Sequence, residues 1–104
     1  MVREMPDSKD MDCVPLLKAL ADESRWSIVR SLMKEPLTVG QLATTLSMSQ
    51  YNVSKHLRIL RESGVVTTDR LGKHVQCQIS PSFRHSLDKT GSQLDLGCCS
   101  FYFD

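Results

Sequence analysis

Apolar residues recur at helical spacing almost from the start of the chain. Val14, Leu17 and Leu20 fall on one face of a first helix predicted over residues 12–21. Pro15 is tolerated there because it lies within the first turn, where no intrahelical N–H is lost. Asp22 is placed to N-cap a second helix over 23–33, whose apolar positions are Trp26, Ile28, Val29 and Leu32. Pro36 ends that region. Thr38-Val39-Gly40-Gln41 has the form of a capping box: the hydroxyl of the first residue accepts from the fourth residue's N–H, and the amide of the fourth reaches back. It opens a short third helix over 39–46, with Leu42 and Leu46 inward. Ser47-Met48-Ser49 then makes a tight turn, and Ser49 caps a fourth helix over 50–63. Val53, Leu57 and Leu60 form its buried stripe, and Gly64 closes it in the left-handed position that favours glycine.

The periodicity changes beyond Gly64. Residues 65–68 read as a strand, 69–73 as a turn and 74–79 as a second strand, in which Val75, Cys77 and Ile79 alternate with polar neighbours. Ser80-Pro81 starts a short fifth helix with Phe83 and Leu87 inward, broken at residues 89–92. The remainder, 94–103, has the composition of a strand. The expected architecture is mainly α with a small β-hairpin wing, a winged helix-turn-helix of five helices plus a C-terminal strand. Its organisation is a flexible arm over 1–11, a DNA-binding domain over 12–90 and a cysteine-containing tail over 91–104.

Charge sharpens this picture. The net charge of +1 conceals an asymmetry: residues 1–23 carry three basic and six acidic groups, whereas residues 24–80 carry eight basic and three acidic ones. Positive charge is thus concentrated where a phosphate-facing surface needs it. No apolar run is long enough to span a bilayer. The polar, acidic N-terminus lacks the hydrophobic stretch of a signal peptide, so a cytosolic protein with no membrane partner is expected. In that compartment Cys13, Cys77, Cys98 and Cys99 are expected as reduced thiols.

The fourth helix carries the chemistry. Ser49, Gln50, Tyr51, Asn52, Ser54, Lys55 and Arg58 lie opposite its apolar stripe. Gln and Asn can pair bidentately with adenine, and Lys or Arg with guanine or phosphate. Arg70 and Lys73 flank Gly72 at the expected hairpin tip, where a wing meets a neighbouring phosphate or the minor groove. The plainer alternatives are a solvated amphipathic helix and a solubilising turn. His56 lies between Val53 and Leu60 and is expected to pack or hydrogen-bond within the motif. His74 stands on the wing, and His85 is expected to be exposed.

Three segments carry a family resemblance. Residues 20–29, LADESRWSIV, resemble the "LADPTRLRIL" opening of ArsR/SmtB regulators. Residues 37–43, LTVGQLA, resemble their "LTVGELA". Residues 49–66, SQYNVSKHLRILRESGVV, are similar to their "SQSTVSRHLKVLREAGLV". The resemblance spans about residues 13–80 and implies a dimeric repressor that leaves its double-stranded DNA operator when an inducer binds. Dimerisation is expected through the first helix (Val14, Leu17) and the C-terminal segment (Phe83, Leu94, Leu96, Phe101, Phe103).

The family's two standard metal sites do not carry over. Residues 41–46, where the arsenic-type Cys-x-Cys would fall, hold no thiol. The end of the chain offers only His85, Asp88, Asp95 and Asp104 where a zinc-type site needs paired histidine and carboxylate ligands. Adjacent Cys98 and Cys99 suit As(III) or another soft ion as inducer, with no cofactor otherwise required, and Cys13 is the candidate third ligand. Successive residues of a regular strand face opposite ways, so a shared ion needs a bend, which Gly97 can supply. Cys77 falls in the apolar row of its strand and reads as a core residue. Thiol redox or persulfide sensing, and no sensing at all, remain open beside the metalloid. So does a small thiol metal-binding protein without DNA activity, although that leaves the polar face of the fourth helix unexplained. No phosphate loop or nucleophile–base pair points to an enzyme.

Overall fold

The computed structural model describes residues 13–87 and 92–103. The expected arm over 1–11, together with Asp12, Asp88, Lys89, Thr90, Gly91 and Asp104, lies outside the described residues. The described elements run α1 (Cys13–Leu20), α2 (Glu23–Lys34), β1 (Leu37–Thr38), α3 (Val39–Leu46), α4 (Gln50–Glu62), β2 (Val66–Leu71), β3 (His74–Ile79), α5 (Pro81–His85), β4 (Gln93–Asp95) and β5 (Ser100–Tyr102).

Local chemistry sets most of these boundaries. Asp22, Thr38, Ser49 and Ser80 each sit at an N-cap and accept a backbone N–H three residues on. The capping box at Thr38 is complete: its hydroxyl accepts from Gln41 N–H at 3.1 Å, and the Gln41 amide oxygen accepts from Thr38 N–H at 2.8 Å. Ser47 ends α3 in the left-handed region at φ 54° and donates its N–H to the carbonyls of Ala43 and Thr44. This single residue turns the chain from α3 into α4.

One core gathers these elements. Ile28, Val29 and Leu32 of α2, Leu42 of α3, Val53, Leu57 and Leu60 of α4, Val65 and Val66, Cys77 and Ile79 of β3, Phe83 of α5 and Leu94 of β4 are all buried. Burying a single side chain of this size contributes about 1.5–3 kcal/mol. Ser80 is buried at the junction, and its hydroxyl donates to the Gly64 carbonyl at 2.6 Å.

Five features depart from the sequence expectation. The buried face of α1 is Leu16 and Ala19, while Val14 is 61% exposed; apolar residues line both sides of this short helix, so periodicity could not select the inner one. The wing strands are longer than expected: β2 pairs with β3 from Val66↔Ile79 to Leu71↔His74, leaving Gly72-Lys73 as the turn. Asp69 and Arg70 are therefore strand residues. Leu37-Thr38 forms a third strand on the outer edge of β3, with Leu37 opposite Cys77. The tail is a hairpin, β4 pairing with β5 from Gln93↔Tyr102 to Asp95↔Ser100, in place of a single strand. Finally, Phe83, Leu94 and Leu96 lie inside the protomer and cannot form an interface with a second copy. Among the described residues no helix is long and apolar enough to cross a membrane.

Candidate nucleic-acid interface and thiol corner

The apolar stripe of α4 fixes which way its polar face points. Val53, Leu57 and Leu60 are at most 2% exposed, so Gln50, Tyr51, Asn52, Ser54, Lys55 and Arg58 are turned outward. Ser49 is exposed too, but its hydroxyl oxygen already accepts from Asn52 N–H at 3.0 Å as the helix cap. Lys55 Nζ stands 5.5 Å from the centre of the Tyr51 ring, so a cation and an aromatic surface are presented together. Arg58 donates to Glu62 at 3.2 Å, with both side chains largely in solvent. Such a pair contributes about 0–1 kcal/mol, so a phosphate can replace Glu62 at little cost.

The wing stands beside this face. An open cleft of about 910 Å³ runs between the N-termini of α3 and α4 and the wing, lined among others by Thr38, Gln41, Gln50, Ser54, Lys73 and His74. Lys73 occupies the hairpin turn next to Gly72, whose φ of 64° suits a residue without Cβ. Arg70 is exposed in β2 two residues before Gly72, paired with Val75 across the ladder, so the expected two-cation tip reduces to Lys73 in the turn and Arg70 on its shoulder. His74 and His85 are exposed.

A second constellation lies where α1 meets the β4–β5 hairpin. The hairpin turns between Leu96 N–H and Cys99 O, 2.9 Å apart, with Gly97 at φ 91° and the Asp95 carboxylate accepting from Gly97 N–H at 3.0 Å. Cys98 and Cys99 therefore sit in a turn, and their sulfurs are 3.6 Å apart. Cys13 at the start of α1 completes the group, the three sulfurs lying within 4.8 Å of one another. Among the described residues no other trio of His, Cys or carboxylate groups comes together in this way.

Cys13 and Cys98 are joined as a disulfide across 85 residues, with Cα atoms 6.5 Å apart, whereas free thiols were expected throughout. The tail folds back onto α1, a proximity that no local pattern announces. Thiolates sharing a soft ion at about 2.3 Å each stand up to about 4.6 Å apart, so the reduced trio fits such an ion with small shifts. Cys77 is not part of this cluster. It is fully buried, and loss of hydration pushes its thiol from 9.0 up to about 11, so it stays protonated and inert.

The pattern of the sequence does not single out Arg25. Its side chain reaches from α2 to both neighbouring helices, donating to the Ala19 carbonyl at 2.6 Å and the Lys18 carbonyl at 3.3 Å, and meeting His56 Nδ1 at 3.4 Å. Asp22 accepts from Arg25 N–H at 3.0 Å, and that bond holds its carboxyl below the usual value of 3.8. The available signal was the Asp22-to-Arg25 spacing, an N-cap followed by a cation at its third position.

Aromatic side chains of the tail line a shallow groove of about 310 Å³ with Leu17, Leu20, Trp26 and Leu94. Trp26 and Phe103 meet edge to face at 5.0 Å, and the Arg30 guanidinium lies 5.8 Å from the Phe103 ring centre. Phe101 is 38% and Tyr102 78% exposed.

A family model described as "Bacterial regulatory protein, arsR family" matches residues 22–68, from the cap of α2 into β2. The "Arsenical resistance operon repressor" of Escherichia coli (strain K12) is 44% identical over 69 residues, 65% of this chain and 59% of that protein. The matched segments span 49–59% of the length of the first curated relatives. HlyU from Vibrio cholerae N16961 has a similar structure, with a TM-score of 0.65 at 38% identity over 68% of this chain and 77% of its own. The homodimeric winged helix-turn-helix DNA-binding domain of Mb0332 from Mycobacterium bovis has a TM-score of 0.64 at 27% identity, over 67% of this chain and 65% of its own. All three clustered cysteines lie outside the residues matched by the family model.

Proposed function

The chain belongs to the arsR family of bacterial regulatory proteins, and from that premise we propose that it is a homodimeric, cytosolic DNA-binding repressor. α4 enters the major groove. Gln50 and Asn52 read base edges, Lys55, Arg58, Arg70 and Lys73 meet phosphates, and Ser49, Tyr51 and Ser54 complete the contact surface. The observation that carries this reading is the outward polar face of α4, opposite a stripe at most 2% exposed and flanked by the wing. Anisotropy titrations with a duplex from upstream of its own coding sequence, against a random duplex, test it. A preference of roughly a thousandfold or more is expected for a specific site. Equal affinity for both duplexes would count against the repressor assignment.

The second copy docks on α1 and the tail hairpin. Val14, Phe101 and Tyr102 leave apolar area in solvent beside the aromatic groove, and the homodimeric relative supports a two-fold pair. Sedimentation of a Val14→Asp/Tyr102→Asp protein tests this: a dimer as tight as the wild type removes the hairpin and α1 from the interface.

The inducer is As(III) or another soft, thiophilic ion held by Cys13, Cys98 and Cys99 after reduction of the disulfide. The three sulfurs within 4.8 Å support this, as does the arsenical-resistance repressor among the relatives. A second reading is favoured by the Cys13–Cys98 bond itself: the trio acts as a redox sensor. Two thiols then lose two electrons and two protons to hydrogen peroxide, giving a disulfide and two waters. Releasing the protein from DNA with arsenite under a phosphine reductant favours the first; release by peroxide alone favours the second.

A further inference from the structure

We propose that Arg25 is a positioning residue that couples the thiol corner to α4, a step that rests on the repressor and sensor readings above. The geometry is specific. α1 is eight residues long, about 12 Å. Cys13 at its first position belongs to the sulfur cluster, and the carbonyls of Lys18 and Ala19 near its other end are held by the Arg25 guanidinium at 3.3 Å and 2.6 Å. The last four carbonyls of a helix have no partner within it, and a cation there also meets the negative end of the dipole. Thus one short, stiff element is gripped by thiols at one end and by Arg25 at the other.

The same guanidinium meets His56 Nδ1 at 3.4 Å, and His56 lies in α4 between the outward Lys55 and the buried Leu57. A guanidinium has donors only, so Nδ1 must be the acceptor. Asp22 fixes the base of the arrangement, accepting from Arg25 N–H at 3.0 Å and standing 3.8 Å from its side chain. The Arg25 side chain is only 15% exposed. A fork of donors in fixed directions can hold two carbonyls and an imidazole together, which a lysine ammonium on a flexible stem cannot. Any change at the sulfurs that shifts α1 along its axis therefore moves the carbonyls Arg25 grips, and with them the contact to α4. Occupancy at the thiols then alters DNA affinity only through the difference it makes between two placements of α4.

Arg25→Lys, His56→Leu and His56→Gln test this in the reduced full chain, with sodium arsenite as the probe. Three quantities are measured: affinity for the upstream duplex without arsenite, the same with arsenite, and arsenite affinity without DNA. In the wild type, arsenite is expected to weaken DNA binding about 5- to 150-fold, the usual range of such coupling. Arg25→Lys and His56→Leu are expected to keep arsenite affinity and to keep arsenite-free DNA affinity within about twofold, yet to lose most of the release. His56→Gln, whose amide oxygen can accept from Arg25, is expected to retain the release. A residue that merely stabilises the fold would change the melting temperature and leave the ratio of the two DNA affinities intact. If Arg25→Lys and His56→Leu are released as far as the wild type, the coupling role is overturned and the sensor survives. If the wild type binds the duplex but arsenite does not release it, sensor and coupling fall together. Should Arg25→Lys not fold, the two His56 variants decide the matter.

Discussion

The α3–α4 unit with its wing and the corner where α1 meets the tail hairpin are assembled in different ways. In the first, neighbouring residues do the specifying. Thr38 and Gln41 cap each other, Ser47 turns the chain, Ser49 starts α4, and Val53, Leu57 and Leu60 orient it. In the second, a turn near the end of the chain meets the start of α1, and Cys13 and Cys98 are 85 residues apart. The proposed reading face would need a fixed pose relative to a repeating groove, which local signals supply. The proposed switch would need contacts that can be remade, and contacts between distant segments can be made and lost without unfolding either one.

Cutting into the framework of the first region should give the largest effect. Leu60→Ala is expected to cost 2–5 kcal/mol, seen as a lower denaturant midpoint, and to abolish DNA recognition with it. The serine double variant Cys98→Ser/Cys99→Ser should leave recognition intact. If both changes abolished recognition equally, the two regions would not be separable.

The next effect divides the reading face itself. If Gln50 reads a base edge as proposed, Gln50→Ala should lose about 1–3 kcal/mol on the preferred duplex and little on a random one. Lys73→Ala should weaken both duplexes alike and lower the slope of log affinity against log salt by about 0.9. Identical profiles across duplex variants would undo the division between base and phosphate contacts.

A smaller effect separates cap from core. Asp22→Ala is expected to cost about 1 kcal/mol in thermal melts. The Arg25 N–H holds the Asp22 carboxyl below 3.8, so the cap contributes fully above that pH and is lost as pH falls through the lower folded value. Cys77 behaves oppositely at the alkaline end. Its folded value of about 11 exceeds the ordinary 9.0, so its contribution holds below pH 9 and fades as pH rises towards 11. Cys77→Ala should remove that alkaline loss, and stability curves that coincide above pH 9 would show that the thiol is not the cause.

What could be read from the sequence follows the same divide. The four caps, the stripe of α4 and the outward set from Gln50 to Arg58 rest on spacings of three or four residues, and the structure has them where those spacings put them. The inner face of α1 was not legible, because Val14, Leu16, Leu17, Ala19 and Leu20 offer two apolar faces and only packing chooses Leu16 and Ala19. Two-residue β1 is too short to carry a period of its own, and it exists because β3 has a free edge beside Leu37. The sequence pattern puts Arg70 inside a turn over 69–73, but ladder pairing keeps it in β2. Phe83, Leu94 and Leu96 read as interface residues because they lie in the terminal elements through which the resemblance implies dimerisation, and neither that placement nor their hydrophobicity tells a protomer's core from its partner-facing surface. The Arg25 contacts to Lys18, Ala19 and His56 depend on three helices meeting, and no single segment encodes them.

The proposed separation of reader from switch is tested most directly by one paired titration. Reduced wild-type protein and the Cys98→Ser/Cys99→Ser variant are bound to the same upstream duplex, and arsenite is added while anisotropy is followed. Equal starting affinities are expected, with release of the wild type alone over a 5- to 150-fold loss of affinity. Release of the variant at the same arsenite concentrations, or a starting affinity for the upstream duplex no better than for random DNA in either protein, would contradict the account.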